Sequence, residues 1–192
     1  DLILRLDRRL TEQALQRLDQ RFQEIKTALM DQVEADPKLY GMGTTMTLAC
    51  SLGIDLLIAH VGDSRAYLFR QGELHRLTRD QTMAQFLADT GVISLEEVAT
   101  HPMRHVLTGA LGTKGGRTKV DLRGMRLVDG DQILLSTDGL TEMVRDDRIA
   151  DVLARGGSST DACAALIEQA LAAGGKDNVT VVLGRYRITE NR

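Results

Sequence analysis

The first stretch of the chain, residues 2–35, carries apolar side chains at steps of three or four positions. This spacing predicts one amphipathic helix, which no Gly or Pro interrupts before Asp36–Pro37. The apolar stripe comprises Leu6, Leu10, Ala14, Leu18, Phe22, Ile25, Leu29 and Val33. Because the steps average nearer four than three and a half, a helix laid across a sheet is favoured, and a coiled-coil partner is the alternative.

A strand-type pattern begins after this helix. Residues 40–78 consist of short runs of β-favouring residues separated by tight turns, which predicts a meander of antiparallel strands. Residues 79–117 lack a regular pattern. They predict a helix at Thr82–Thr90, a second helix beginning at Ser94, and glycine-rich turns, and they are interpreted as a flap-like excursion.

The last part of the chain, residues 118–188, alternates strand and helix patterns. Strands are predicted at Val120–Leu127, Gln132–Thr137 and Val179–Ile188, and helices at Asp146–Ala154 and Ser158–Ala173. With the long helix of residues 1–39, this order predicts one α+β domain over 1–192 with segregated layers, because the elements do not follow a repeated βαβ order.

Composition narrows the class of protein. The 192 residues are 43% hydrophobic and 27% charged, with a net charge of -3, 3% aromatic residues and no Trp. This balance is unsuited to binding nucleic acid, and no apolar run is long enough to insert into a membrane. Cys50 and Cys163 have no metal-binding spacing, so we expect small buried apolar residues in a reducing compartment, the cytoplasm.

Three aspartates stand where a predicted strand meets a turn: Asp63, Asp138 and Asp177. Short carboxylates based on strand ends are the ligands that Mg²⁺ and Mn²⁺ prefer, and two such ions could clamp a phosphoryl group. Asp before Gly or Asn is also common turn chemistry, so each residue alone is better explained as a turn former. The spacing therefore permits a metal site without establishing one.

Templates for other enzymes are missing from the sequence. It contains no GxSxG elbow, no phosphate-binding P-loop and no HExxH motif. His60 lies in an apolar strand and is expected to be a hydrogen-bonded core residue. Pro102 separates His101 from His105, so these two histidines are not expected to form a helical metal pair.

Four motifs in order give the sequence a family resemblance. They are GMGTTMTLA (41–49), IAHVGDSRAYLFRQGELHRLTRDQT (58–82), LLSTDGLTEMV (134–144) and GGKDNVTVVL (174–183). Together they resemble the metal-dependent type 2C protein serine/threonine phosphatases, the PPM family. GVISLEEVATHP (91–102) is similar to the flap segment of the bacterial members.

The resemblance implies a fold and a set of ligands. The fold is a sandwich of two mostly antiparallel β-sheets flanked by helices, an α-β-β-α arrangement. Asp138 and Asp177 match ligands of a pair of Mn²⁺ or Mg²⁺ ions, and Asp63 matches a ligand of a third, weaker ion. No catalytic side chain is implied, because a metal-bound water attacks the phosphorus.

The sequence also departs from the family pattern. Thr137 stands where Ser is usual, Gln81 where His is common, and Gly109 where Arg is frequent. Family members carry a metal-bridging Asp–Gly and usually a phosphate-clamping Arg upstream of the helix, and residues 1–40 offer neither. The expectation is a phosphatase domain without its N-terminal strands, which alone would hydrolyse phosphate esters slowly or not at all.

Two functions follow from these observations. The first is a bacterial-type phosphatase acting on phosphoserine and phosphothreonine, with a phosphorylated protein, for instance one under kinase control, as its partner. The alternative is a catalytically impaired, phosphatase-like module that acts through protein interaction. Three acidic residues in matching positions favour the enzyme, because a module that no longer binds metal has no need of them.

Overall fold

The computed structural model describes residues 8–112 and 118–188, so the predicted helical residues 2–7 lie outside the described part. The helices are α1 (Arg8–Ala35), α2 (Met83–Asp89), α3 (Asp138–Thr141), α4 (Asp146–Ala154) and α5 (Ser159–Ala172). The strands are β1 (Met46–Leu52), β2 (Asp55–Val61), β3 (Arg65–Arg70), β4 (Glu73–Arg76), β5 (Asp121–Arg126), β6 (Gln132–Ser136) and β7 (Val181–Arg185). None of the described helices is long and apolar enough to cross a membrane.

The chain divides into two compact units. The first unit takes the described residues up to Cys50, together with Leu57–Asp63 and Asp80–Met125. The second unit takes Ser51–Leu56, Ser64–Arg79 and the described residues from Arg126 onward. The α+β class, with two antiparallel sheets flanked by helices, is confirmed.

In the first unit, α1 packs its apolar stripe against the three-stranded sheet β1-β2-β5. Phe22 is fully buried, in one cluster with Ala59 and Val61 of β2. The partly buried residues around this cluster are Leu18, Ile25, Leu29, Met46, Leu48, Val120 and Leu122. The prediction of a helix laid across a sheet is therefore confirmed, because the stripe covers strand side chains.

The second unit is built on the antiparallel sheet β4-β3-β6-β7. One core cluster contains strand residues such as Leu134 and the inward faces of α4 and α5. The buried helix residues are Ile149, Val152, Leu153, Ala162, Leu166 and Ala170. Asp146–Ala154 has the predicted bounds, and Ser158 caps α5 by accepting a hydrogen bond from the amide of Asp161.

The predicted meander over 40–78 is wrong in one respect. All four strands are present, but β1 and β2 belong to the three-stranded sheet while β3 and β4 belong to the four-stranded sheet. A short connection normally predicts a hairpin within one sheet. Here Gly62 adopts a φ of 112° and its amide donates to the side chain of Gln81, so the link from β2 to β3 does not close a hairpin.

The second helix predicted to begin at Ser94 is also wrong. The amide of Ser94 donates to Oε2 of Glu97 at 2.8 Å, and only a 3-10 turn follows, at Val98–Thr100. This hydrogen bond lowers the pKa of the Glu97 carboxyl. A longer helix is disfavoured because His101 precedes Pro102 and takes an extended backbone conformation.

Candidate metal centre

Asp138 lies at the point where β6 ends and α3 begins. Thr137 is extended, and Asp138 is the first residue of the four-residue helix α3, which the sequence pattern does not predict. The flanking residues Ser136 and Leu140 are buried, while Asp138 is half-buried. The aspartate therefore has a rigid base in the core and a partly accessible carboxylate.

A set of hydrogen bonds ties this turn to the chain that leads into β7. The amide of Thr137 donates to the carbonyl of Thr180 at 3.1 Å. The Thr137 hydroxyl accepts from the amide of Thr180 at 3.0 Å and donates to the carbonyl of Asn178 at 3.2 Å. Because β6 and β7 are antiparallel, with Ser136 opposite Val181, the end of one strand and the start of the other meet at one edge of the sheet.

Gly139 allows the two segments to approach closely. A Cβ at this position would lie 2.3 Å from the carbonyl oxygen of Asn178 and 3.0 Å from its carbonyl carbon. Any other residue would push the backbone of Asn178 away. The Asp–Gly of LLSTDGLTEMV is therefore required by packing as well as suited to a turn.

Asp177 is exposed and stands directly before the contacted segment. Its Oδ1 accepts a hydrogen bond from the amide of Asn178 at 2.6 Å. The structure thus brings the 137–139 turn and residues 178–180 together, with one candidate aspartate beside each. That the carboxylates of Asp138 and Asp177 share an ion stays a prediction.

Asp63 lies in the first unit and is held by different contacts. A Cβ on Gly62 would lie 2.3 Å from Cγ2 of Thr45, so the GTT motif packs directly on the residue before Asp63. The amide of Gly62 donates to Oε1 of Gln81 at 3.1 Å, and the amide of Gln81 donates to the carbonyl of Gly62 at 2.7 Å. Asp63 is half-buried, and its role as a ligand stays a prediction.

Two departures from the family pattern are in contact with each other. A Cβ on Gly109 would lie 1.9 Å from Oε1 of Gln81, so the glycine leaves the space that the glutamine amide fills. Nε2 of Gln81 donates to Oδ2 of Asp121 at 3.0 Å, which fixes the other end of the amide. Both residues stand out as departures in the sequence, but no signal in a single sequence reveals that they are in contact.

His60 behaves as an ordinary structural residue. His60 is 1% exposed, and its Nδ1 lies 2.9 Å from the hydroxyl of Thr47, as expected of a hydrogen-bonded core histidine. Cys50 and Cys163 are free and only half-buried, so the prediction that both are buried is wrong. Burial raises the pKa of the Cys163 thiol.

The donor chemistry of the second unit fits a hard divalent cation. Asp138 offers carboxylate oxygens, and the turn that carries it is held against Asn178 at a distance that a Cβ would prevent. Asp177 keeps one oxygen on the amide of Asn178, which orients the carboxylate as partners of metal ligands commonly do. Oxygen-only donors suit Mn²⁺ or Mg²⁺ rather than a thiophilic metal.

Comparison with known proteins agrees with the fold and the motifs. Residues 2–85 match the family described as Protein phosphatase 2C. The serine/threonine protein phosphatase PstP of Mycobacterium tuberculosis is 41% identical over 169 residues. The serine/threonine phosphatase stp of Listeria monocytogenes is 34% identical over 173 residues, covering 90% of this chain and 68% of that protein. The chain belongs to the protein phosphatase 2C family.

Within that family its relatives are bacterial serine/threonine phosphatases. A crystal structure of the catalytic domain of PstP, described as a complex with two manganese ions, superposes with a TM-score of 0.76 at 38% identity. That match covers 88% of this chain and 70% of the other. Against the whole M. tuberculosis PstP the alignment covers 88% of this chain but only 32% of that protein, so the chain spans about a third of that relative.

Proposed function

We propose that the protein is a metal-dependent protein serine/threonine phosphatase that uses Mn²⁺ or Mg²⁺. The observation that carries this proposal is the contact between the Thr137–Asp138–Gly139 turn and Asn178–Thr180, which sets candidate ligands from two distant segments beside one strand edge. The names of the bacterial relatives support the same activity, and the two manganese ions of the PstP domain support the choice of metal.

In this proposal Asp138 and Asp177 hold the two metal ions, and Asp63 contributes to a third, weaker metal site. Bound ions of this kind supply a nucleophilic water at neutral pH and neutralise charge on phosphoryl oxygens. Thr137 fixes the backbone of Asn178 and Thr180, so its hydroxyl is a positioning group. No Ser or Cys nucleophile is required, which agrees with the lack of a nucleophile motif in the sequence.

The substrate class that follows is a protein carrying phosphoserine or phosphothreonine. We place the enzyme in the cytoplasm, which is consistent with two cysteines that form no disulfide.

The test is hydrolysis of a phosphothreonine peptide with Mn²⁺ against the same reaction with a chelator. The protein assayed is this chain preceded by a segment that carries a metal-bridging Asp–Gly, because the 192 residues alone are expected to be slow or inactive. We expect phosphate release only with metal, and its loss in Asp138→Ala. Equal release in the presence of chelator would contradict the proposal. The matched control is Asp129→Ala, because Asp129 lies in the turn before β6 and its Oδ1 accepts from the amide of Ile188.

A further inference from the structure

A second feature of the second unit is an open pocket between α4 and α5. Its volume is about 330 Å³, at the lower end of the range of ligand sites. Its charged lining consists of Arg145, Arg148, Asp151 and Arg155. The metal-site proposal uses none of these residues.

The three arginines are distributed along α4: Arg145 directly precedes the helix, Arg148 lies in its first turn and Arg155 directly follows its last residue. Arg148 follows Arg145 by three positions and Arg155 follows Arg148 by seven, which is close to two turns of an α-helix. Three cations against one carboxylate leave a formal charge of +2 in the pocket lining, on a chain whose net charge is -3. The pocket lining is therefore positively charged, although the chain as a whole is negatively charged.

Neighbouring acids offset this charge only through exposed contacts. Asp146 accepts a hydrogen bond from the hydroxyl of Tyr67 at 3.1 Å and does not line the pocket. Arg148 pairs with Asp151 at 3.6 Å and Arg145 pairs with Asp147 at 3.2 Å, and all four side chains are at least 60% exposed. Such exposed pairs are weak, so a ligand carboxylate can replace them at little cost.

The rest of the lining is apolar. Met143 and Val144 precede α4, Ala172 and Ala173 lie at the end of α5, and Gln169 of α5 adds one amide. A free phosphate ion would gain no binding energy from contact with these apolar side chains. A peptide segment would use it, since the stems of its side chains can lie on the apolar residues while its carboxylates meet the guanidinium groups.

The pocket lies near the candidate metal centre along the chain. Met143 is five residues beyond Asp138, so even a fully extended chain could separate their Cα atoms by no more than about 18 Å. A substrate whose phosphorylated residue reaches Asp138 could therefore place a flanking segment in the pocket.

We infer that this pocket docks an acidic segment, rich in Asp and Glu, of the protein substrate. This inference rests on the proposed phosphatase function and adds a substrate class to it. The pocket selects substrates by charge outside the reacting residue, so its arginines change the affinity for substrate and leave the chemistry of the phosphate ester unchanged.

Binding is tested without any requirement for activity. The probe is a fluorescein-labelled peptide of alternating Glu, Asp and Leu, and its anisotropy is measured with the full chain against a version in which Gln and Asn replace the acids. We expect Arg148→Gln/Arg155→Gln to weaken binding of the acidic peptide at least about tenfold, so that the acidic and neutral peptides bind equally. We also expect added salt to weaken wild-type binding.

A matched control removes the same charge elsewhere. Arg17 and Arg21 are exposed on α1, and Arg21 pairs with Glu24 three positions on, as Arg148 pairs with Asp151. Arg17→Gln/Arg21→Gln should bind the acidic peptide like the wild type. Three results would each overturn the inference. They are an equal loss of acidic-peptide binding in both double variants, wild-type binding of the neutral peptide as tight as that of the acidic one, and displacement of the acidic peptide by low-millimolar inorganic phosphate.

A kinetic arm separates this inference from the proposed function. With phosphothreonine peptides that carry acidic or neutral flanks, we expect the acidic flank to lower KM several-fold in the wild type and to have no effect in Arg148→Gln/Arg155→Gln. Metal-dependent turnover of p-nitrophenyl phosphate should be equal in both proteins. In this arm both proteins carry the upstream Asp–Gly segment. Failure of that turnover in the extended wild type would contradict the phosphatase proposal, whereas the anisotropy result would still decide the docking site.

Discussion

Two of the described turns that carry a candidate ligand, at Asp138 and at Asp63, are built differently. The Asp138 turn is held by the Thr137 backbone and hydroxyl against Asn178 and Thr180, at the joined ends of two paired strands. In the Asp63 turn, Gly62 exchanges two hydrogen bonds with a loop residue, Gln81, one with its side chain and one with its backbone amide. The first arrangement is part of the sheet itself, and the second can be altered without disturbing a strand. We therefore expect the Asp138 turn to carry the essential ligands and the Asp63 turn to modulate them.

The largest expected effect comes from the aspartates themselves. Asp138→Ala should lower kcat for a phosphothreonine peptide by more than about 100-fold, because loss of groups that merely support a metal ligand already costs 10–100-fold. Asp63→Ala should lower it less and should be partly corrected by raising the Mn²⁺ concentration. The measurement is steady-state hydrolysis over a range of Mn²⁺ concentrations, by chains that carry the upstream Asp–Gly segment. An Asp63→Ala defect as large as that of Asp138→Ala, at saturating metal, would contradict the comparison.

The next effect concerns the close approach at Gly139. Gly139→Ala should destabilise the fold by about 1–3 kcal/mol, because its Cβ would lie 2.3 Å from the backbone oxygen of Asn178. Urea unfolding measures the loss. The control is Gly184→Ala on β7, where the nearest atom to a new Cβ is 3.6 Å away and little change in the free energy of unfolding is expected. Equal stability of the two variants would show that the contact is not tight in solution.

A smaller effect is expected at Thr137. Thr137→Val keeps the shape but removes a hydroxyl that makes two hydrogen bonds, to Asn178 and from Thr180, which should cost about 1–2 kcal/mol in the free energy of unfolding. Thr137→Ser, which introduces the residue usual in the family, keeps the hydroxyl and should retain both the stability and the apparent Mn²⁺ affinity. If Thr137→Val and Thr137→Ser have the same free energy of unfolding and the same apparent Mn²⁺ affinity, the hydroxyl has no positioning role.

The smallest effect tests the Asp63 turn. Gln81→Ala and Gly109→Ala should each cost about 1 kcal/mol, because each disrupts the bonds of the Gln81 amide to Gly62 and Asp121. In Gln81→Ala the side-chain amide is absent, so a Cβ at position 109 no longer clashes with it. The double variant should therefore lose less free energy of unfolding than the sum of the losses in the two single variants. A double-mutant cycle from thermal unfolding measures this coupling. Additive losses would show that the two residues act independently.

The parts of this fold that the sequence predicts are those that depend on residues close together along the chain. The stripe of α1, the bounds of α4 and the Ser158 cap depend on neighbours within a turn or two, and all were predictable. The change of sheet between β2 and β3 was not, because it depends on Gly62 meeting Thr45 and Gln81, which lie 17 and 19 positions away along the chain. The helix expected at Ser94 failed because the side chain of Glu97 accepts the hydrogen bond of the Ser94 amide.

The candidate site shows the same limit. The three aspartates could be selected because each stands at the junction of a strand and a turn, and the family resemblance gave them roles. The residues that hold the turns could not be selected in this way. Thr137 and Gln81 look like ordinary polar residues in sequence, and their importance depends on partners 41 and 19 positions away.

The most direct test of the account is Mn²⁺ binding by the wild type and by Asp138→Asn, Asp177→Asn and the double variant. Electron paramagnetic resonance of free Mn²⁺ reports binding independently of catalysis. If Asp138 and Asp177 share an ion cluster, each single variant should bind Mn²⁺ at least about tenfold more weakly, and the double variant should lose little more than the worse of the two. Wild-type affinity in Asp177→Asn, or in the double variant, would contradict the claim that these two aspartates form one metal centre.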